Sequence, residues 1–182
     1  ELRAHRRFVP PEPTRIDLDV RVAARENRGL RRPPLALAVV LDVSGSMEGE
    51  KLTQAKEAVR SLFAALEPAD RVALVAYDDV PHLVLPLATA SRARGELPRL
   101  LRRLQAGGGT RIPAALEAGF DALLDAPSAS VGRVILVSDG LDEEGADAAP
   151  VARRRGGRAG VSALGVGLDF DEAYLARLAL AG

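Results

Sequence analysis

The sequence of 182 residues contains no cysteine and no tryptophan, and aromatic residues make up only 3% of it. The absence of cysteine excludes disulfide bonds and thiolate metal sites, but it leaves the redox compartment open. With so few aromatics, the hydrophobic core must consist mostly of Ala, Val and Leu. His5 and His82 are the only histidines, so a catalytic Ser–His pair is improbable.

Charge of either sign is not in excess, because 25 Lys and Arg residues balance 25 Asp and Glu residues. This balance argues against a dedicated nucleic-acid surface. No apolar run approaches the roughly 20 residues of a membrane span, and no signal peptide is visible. Because the chain begins at Glu1 rather than Met, we expect it to be a piece of a longer protein, and its localisation stays open.

The pattern of apolar residues predicts strands that alternate with helices from Pro34 onward. Such alternation is typical of an α/β fold with a doubly wound, mainly parallel central sheet and helices on both faces. One strand, at 82–87, is predicted as an antiparallel edge strand, where Pro86 is tolerated. The other predicted strands are 35–41, 71–77, 132–140 and 161–166. The predicted helices are 52–66, 97–104 with Pro98 in its first turn, 112–124, 146–155, and a last helix that Asp169 caps and that runs to Leu180.

The first 33 residues differ from the rest of the chain. Residues 1–13 are basic and contain prolines without periodicity, which is typical of an arm or linker. Residues 14–23 alternate between polar and apolar with a period of two, which predicts a strand with one wet face. We therefore expect two parts: 1–33, an arm and an extra strand that belongs to an accessory β-domain with its remaining strands after Gly182, and 34–182, the main domain.

Oxygen-bearing side chains follow the buried strands at three places. Asp42, Ser44 and Ser46 come directly after the first buried strand, Thr110 follows three glycines, and Asp139 ends a later strand. Open α/β sheets bind their ligands at this carboxyl edge. Hard oxygen donors without His or Cys favour Mg²⁺ over zinc or copper.

The number of charges in this set predicts what the metal would bind. Two carboxylates leave little excess negative charge on a divalent ion, and neutral hydroxyls donate weakly. Such a metal stays electron-poor and would accept a further carboxylate from outside. The glycines 107–109 would let the backbone approach the ion.

The same residues also fit a turn that holds no metal. A capping turn before the following helix would use Asp42, Ser44 and Ser46 as well. Two further kinds of site fit the sequence poorly. Neither serine lies in the Gly-x-Ser-x-Gly pattern of a nucleophile elbow. The glycines 107–109 are not followed by the Gly-Lys-Ser/Thr of a phosphate loop, because Arg111 follows Thr110.

Asp42-Val43-Ser44-Gly45-Ser46 resembles the Asp-x-Ser-x-Ser signature of the von Willebrand factor A domain family, which has an integrin I-like, Rossmann-like fold. The segments 31–51, 67–72 and 164–172 look like bacterial members of that family. The resemblance implies a metal-ion-dependent adhesion site in which Ser44, Ser46 and Thr110 coordinate the metal directly. It implies that Asp42 and Asp139 act mostly through bound water. Because the family's sheet usually ends with a further strand and helix, we expect 34–182 to lack its last elements.

The function that follows is a protein–protein interaction module rather than an enzyme. It would hold Mg²⁺ or Mn²⁺, with Ca²⁺ as a further option, and bind a Glu or Asp side chain of a partner protein. One alternative is a metal-assisted hydrolase acting on phosphoesters, for which Glu48, Asp78 and Asp79 are the available general bases. Another alternative is a scaffold whose metal is structural.

Overall fold

The computed structural model describes residues 2–4, 18–20, 32–141 and 147–182. The chain divides into two compact units, Glu1–Arg32 and Pro33–Gly182. In the first unit, strand β1 (Leu2–Ala4) pairs antiparallel with strand β2 (Leu18–Val20), so that Leu2 faces Val20. The sequence predicts an arm where β1 lies, because a strand of three residues is too short to give a period-two pattern. The rest of the predicted strand at 14–23 lies outside the described residues, and the accessory β-domain stays a prediction.

The second unit contains a mixed sheet of five strands. They are β3 (Leu35–Asp42), β4 (Arg71–Tyr77), β5 (Pro81–Thr89), β6 (Val131–Ser138) and β7 (Gly160–Gly165). Their order across the sheet is β5–β4–β3–β6–β7. All neighbours are parallel except β4 and β5, which pair antiparallel at one edge. The predicted fold class, including its single antiparallel edge strand, is confirmed.

Helices cover both faces of this sheet. They are α1 (Glu50–Ala65), α2 (Ala90–Arg103), α3 (Ile112–Asp121), α4 (Ala149–Arg155) and α5 (Glu172–Ala181). In β3, Leu37, Val39 and Leu41 pack into a core with α1 and α2. The alternate residues Ala36, Ala38 and Val40 pack into a second core with α3, α4 and α5. Because both faces of β3 are buried, its sequence is a continuous apolar run rather than an alternating one.

Helix α2 begins seven residues before the predicted start at 97. Its buried face consists of Ala90, Ala93, Leu97 and Leu101, and two of these are small alanines in a polar stretch, so the helical spacing is not visible from leucines alone. Pro98 therefore lies inside the helix rather than in its first turn. A proline there removes one backbone hydrogen bond of the helix.

The last helix is capped by Asp171, so the prediction of Asp169 as the cap is wrong. The Asp171 carboxylate accepts a hydrogen bond of 2.8 Å from the backbone N–H of Tyr174. This is the usual bond from a cap to the third helical residue, and Asp169 lies exposed two residues earlier. Helix α4 begins at Ala149, and 142–146, where its predicted start falls, lie outside the described residues. No helix in the described part of the chain is both long and apolar enough to cross a bilayer.

Candidate metal centre

The carboxyl ends of the central strands bring polar side chains into neighbouring positions. Asp42 is the last residue of β3, and its register partner on β4 is Tyr77. On the other side of β3, Leu41 is level with Val137 of β6, so Ser138 and Asp139 follow at the same edge of the sheet. The parallel register therefore places the predicted Asp42 at the end of β3 and Asp139 directly after the end of the adjoining β6.

Asp42 is completely buried and accepts hydrogen bonds at both carboxylate oxygens. Its Oδ1 accepts from the Ser44 backbone N–H at 2.9 Å. Its Oδ2 accepts from Ser138 Oγ at 2.6 Å and from the Tyr77 hydroxyl at 3.0 Å. Burial raises the pKa of Asp42, and the bonds from Ser138, Ser44 and Tyr77 oppose that rise. A cation nearby would offset the same cost of burying the charge.

Tyr77 acts as a fixed donor in this network. Its side chain is fully buried, and that burial, followed by the charge of Asp42, raises the pKa of the Tyr77 hydroxyl well above its ordinary value. The hydroxyl therefore keeps its proton at neutral pH and donates a hydrogen bond to Asp42.

The loop after β3 carries two serines and is bound to the glycine loop. Ser44 is buried, Ser46 is exposed, and their hydroxyl oxygens lie 3.1 Å apart. The Gly45 N–H donates to the Gly108 carbonyl at 3.0 Å, and the Gly107 N–H donates to the Val43 carbonyl at 2.9 Å. These two bonds fix the segment that carries Thr110 against the serine loop.

Gly108 is the residue of the glycine loop that must be glycine. Its φ is +73°, a conformation that L side chains rarely adopt. A Cβ at this position would also lie 2.8 Å from Asp79 Oδ2. The glycine thus permits the close approach of this loop to the Asp78–Asp79 turn.

Thr110 supplies the observation that tests whether the site fits a metal. The residue is only 4% exposed, and its Oγ1 has no hydrogen-bond partner within the described residues. A buried hydroxyl without a partner is costly, and its loop is bound to the loop that carries Ser44 and Ser46. A hard cation would use this oxygen as a ligand, so the residues present fit Mg²⁺ or Mn²⁺.

Asp139 is completely buried and also has both oxygens engaged. Its Oδ1 accepts from the Leu141 N–H at 3.2 Å, and its Oδ2 forms an ion pair of 2.9 Å with Lys51 Nζ. Its backbone carbonyl accepts from the Asp171 N–H at 2.8 Å. The loop after β6 therefore contacts both α1 and the start of α5.

Three residues that contact the predicted carboxylates were missed by sequence reasoning: Tyr77, Ser138 and Lys51. Tyr77 and Ser138 each end a strand that flanks β3, so the positions of the strand ends carried a signal for them.

The predicted ligands Asp42, Ser44 and Ser46 share one loop, Thr110 lies on the loop bound to it, and Asp139 follows the Ser138 that contacts Asp42. Their assignment as metal ligands stays a prediction.

A metal site built from His, Cys, Asp and Glu side chains is not assembled in the described ranges. Across 2–4, 18–20, 32–141 and 147–182, no group of three or more His, Cys, Asp or Glu side chains is placed to hold a metal. His82 lies exposed on β5, with β4 between it and the Asp42 strand.

A cavity of about 470 Å³ lies at the opposite end of the sheet, near the start of β6. Phe120, Leu123, Leu124 and several arginines contribute to its lining. Arg154 pairs with Glu117, and Arg155 pairs with Asp121. Since these two guanidinium groups already have carboxylate partners, they do not make an anion site.

Comparison with known proteins identifies the family of this chain. It is 34% identical over 128 residues to an uncharacterized protein of Synechocystis sp., covering 70% of this chain and 30% of that protein. It is 32% identical over 167 residues to human inter-alpha-trypsin inhibitor heavy chain H4, covering 84% of this chain and 18% of that protein. The chain thus spans less than a third of the length of either relative.

A solved structure and a family model agree with these relatives. A von Willebrand factor type A protein from Catenulispora acidiphila superimposes with a TM-score of 0.74 at 27% identity, covering 82% of this chain and 37% of that one. The model of the von Willebrand factor type A domain matches residues 37–141, which include all five predicted ligands. The chain therefore belongs to the von Willebrand factor type A domain family.

Proposed function

We propose that this chain is a metal-dependent protein–protein interaction module. Ser44, Ser46 and Thr110 would hold Mg²⁺ or Mn²⁺ directly, and Asp42 and Asp139 would act through bound water. Ca²⁺ is a further candidate, because it also takes oxygen ligands. The observation that supports this most is the buried Thr110 hydroxyl, which has no partner in the described part of the chain and lies on the loop bound to the serine loop.

The metal in this site would bind an acidic side chain. Its charged ligands number only two, and both carboxylates already accept hydrogen bonds from the protein. Their negative charge is thus shared with protein donors, and the ion keeps its affinity for one more anionic oxygen. A Glu or Asp of a partner protein supplies that oxygen and completes the coordination.

The described residues favour binding over hydrolysis. A metal-assisted hydrolase needs a general base beside the ion. Asp78 uses its Oδ1 to accept a bond of 3.1 Å from the Val80 N–H in its turn, and His82 lies beyond β4. Glu48 and Asp79 are exposed to solvent. We therefore propose that the module has no enzymatic activity.

Titration with Mn²⁺, followed by electron paramagnetic resonance, tests the metal site. We expect the wild type to bind the ion and Asp42→Ala to lose that binding while circular dichroism shows an intact fold. Asp125→Ala is the matched control, because it removes an exposed carboxylate that follows the end of α3, whereas Thr110 precedes the start of that helix.

The partner is tested with immobilised protein and soluble protein from the source cell. We expect a protein retained in Mg²⁺, released by EDTA and absent from an Asp42→Ala column. Retention that is equal on both columns would contradict the acidic bridge. Mg²⁺ that raises the melting temperature without any metal-dependent partner would instead indicate a scaffold with a structural metal.

A further inference from the structure

Lys51 reaches the candidate metal centre from the first turn of α1. Its Nζ lies 2.9 Å from Asp139 Oδ2, and its side chain is 23% exposed while that of Asp139 is fully buried. Lys51 is one of only two lysines in the sequence. The Lys51 ammonium group thus places a positive charge against a carboxylate that the family resemblance places beside the metal.

The path of the Lys51 side chain is shaped by Gly167, in the loop after β7. A Cβ at Gly167 would lie 2.9 Å from Lys51 Cε and 3.3 Å from its Cδ and Cγ. The φ of Gly167 is +89°, which further favours glycine. The aliphatic stem therefore passes closely over a backbone without a side chain, and this contact holds the ammonium group at Asp139.

The charge of Lys51 changes the charge balance of the site. Two carboxylates and one divalent ion sum to zero, and the ammonium group adds one positive charge. In a partly buried site such a charge acts with little screening. It repels the metal ion and attracts an anion that arrives at the metal.

We propose that Lys51 is a specificity-determining residue of this site: it weakens the binding of the divalent ion and strengthens the binding of the partner's carboxylate. The inference rests on the proposed function. A merely structural role predicts something different, since loss of a residue that only orders Asp139 would weaken the binding of both metal and carboxylate. The two roles are therefore separated by the sign of the change in metal affinity.

Lys51→Met removes the charge and keeps an unbranched apolar stem. Lys56→Met is the matched control, because Lys56 is on the same helix but its Nζ donates to the Leu104 carbonyl at 2.7 Å. Lys51→Arg keeps the charge. Lys51→Gln is a second neutral variant, used for the same measurement if Lys51→Met does not fold.

Mn²⁺ binding is measured by electron paramagnetic resonance, and acetate binding to the Mn²⁺-loaded protein by the loss of water-proton relaxation enhancement. For Lys51→Met we expect Mn²⁺ to bind about tenfold tighter and acetate several-fold weaker. We expect Lys56→Met and Lys51→Arg to match the wild type. Mn²⁺ binding that is unchanged or weaker in the folded neutral variant, or unchanged acetate binding, overturns this inference alone. A wild type that binds no Mn²⁺ overturns the proposed function and this inference with it.

Discussion

Single side chains at the strand ends differ in how many hydrogen-bond partners the protein gives them. Asp42 receives three hydrogen bonds and Asp139 receives an ammonium group and an N–H, so both carboxylates are stabilised without a ligand. The Thr110 hydroxyl is buried and receives none from the described residues. Among the described residues, the folded chain thus carries a cost at Thr110 that a bound cation would relieve.

Thr110→Val should change stability in opposite directions with and without metal. In EDTA the variant removes a buried hydroxyl without a partner, so we expect the free energy of unfolding to rise by about 1 kcal/mol. In Mg²⁺ the wild type gains stability from the bound ion, and the variant should lose most of that gain. Chemical denaturation in both buffers measures the two differences.

Thr110→Ser is the control for that measurement, because it keeps the hydroxyl and loses only a methyl group. It should retain the gain in stability that Mg²⁺ gives the wild type. A loss of stability in Thr110→Val that is equal in EDTA and in Mg²⁺ would show that the hydroxyl has no role in metal binding.

At the level of elements, the packing of α3 on the sheet depends on a glycine. A Cβ at Gly119 would lie 2.6 Å from Val40 Cγ2 and 3.0 Å from Val134 Cγ1. Both valines belong to strands at the centre of the sheet, which have little freedom to move. The distance between α3 and the sheet is therefore set by the absence of a side chain at one position.

Gly119→Ala should lower the free energy of unfolding by about 1–3 kcal/mol, because the added methyl group overpacks the core. Gly95→Ala is the matched change in α2, where a Cβ would meet no atom within 4 Å. There we expect a gain of about 0.5–1 kcal/mol, since alanine favours the helix. Urea denaturation of both variants checks the signs, and a stable Gly119→Ala would mean that α3 can shift outward.

Elements marked by a continuous apolar run or by a clear apolar period were predictable from sequence. The β3 strand is of the first kind and α1 is of the second. The start of α2 was not predictable, since its buried face consists there of Ala90 and Ala93 within a charged stretch. Asp169 and Asp171 are equally good caps in sequence, and only the fold selects Asp171.

The candidate site shows the same limit. Asp42 and Asp139 were predicted as candidate metal ligands because each follows a buried strand in the sequence. The contacts of Tyr77 and Ser138 with Asp42 depend on which strands are neighbours and in which register. The contact of Lys51 with Asp139 depends on how a helix lies over the strand ends. Such contacts are properties of the tertiary structure, so the local sequence pattern marks the strand ends but not the pairs of side chains that meet there.

At the scale of the whole molecule, the two hydrophobic cores found among the described residues lie in the second unit. Within 32–141 and 147–182, the buried residues of the two clusters lie at or after Ala36, and all five strands of the large sheet lie in Pro33–Gly182. The predicted ligands lie in the same range. Since burial of apolar surface drives folding, this unit carries the buried apolar surface that a domain needs to fold.

Removal of residues 1–30 should therefore leave a chain that folds on its own. We expect a cooperative urea transition with a free energy of unfolding within about 1 kcal/mol of the full chain, and the same affinity for Mn²⁺. Circular dichroism and electron paramagnetic resonance on both chains measure these quantities. A shortened chain that is unfolded, or that loses more than about 3 kcal/mol, would show that Glu1–Arg32 is needed to hold the sheet together.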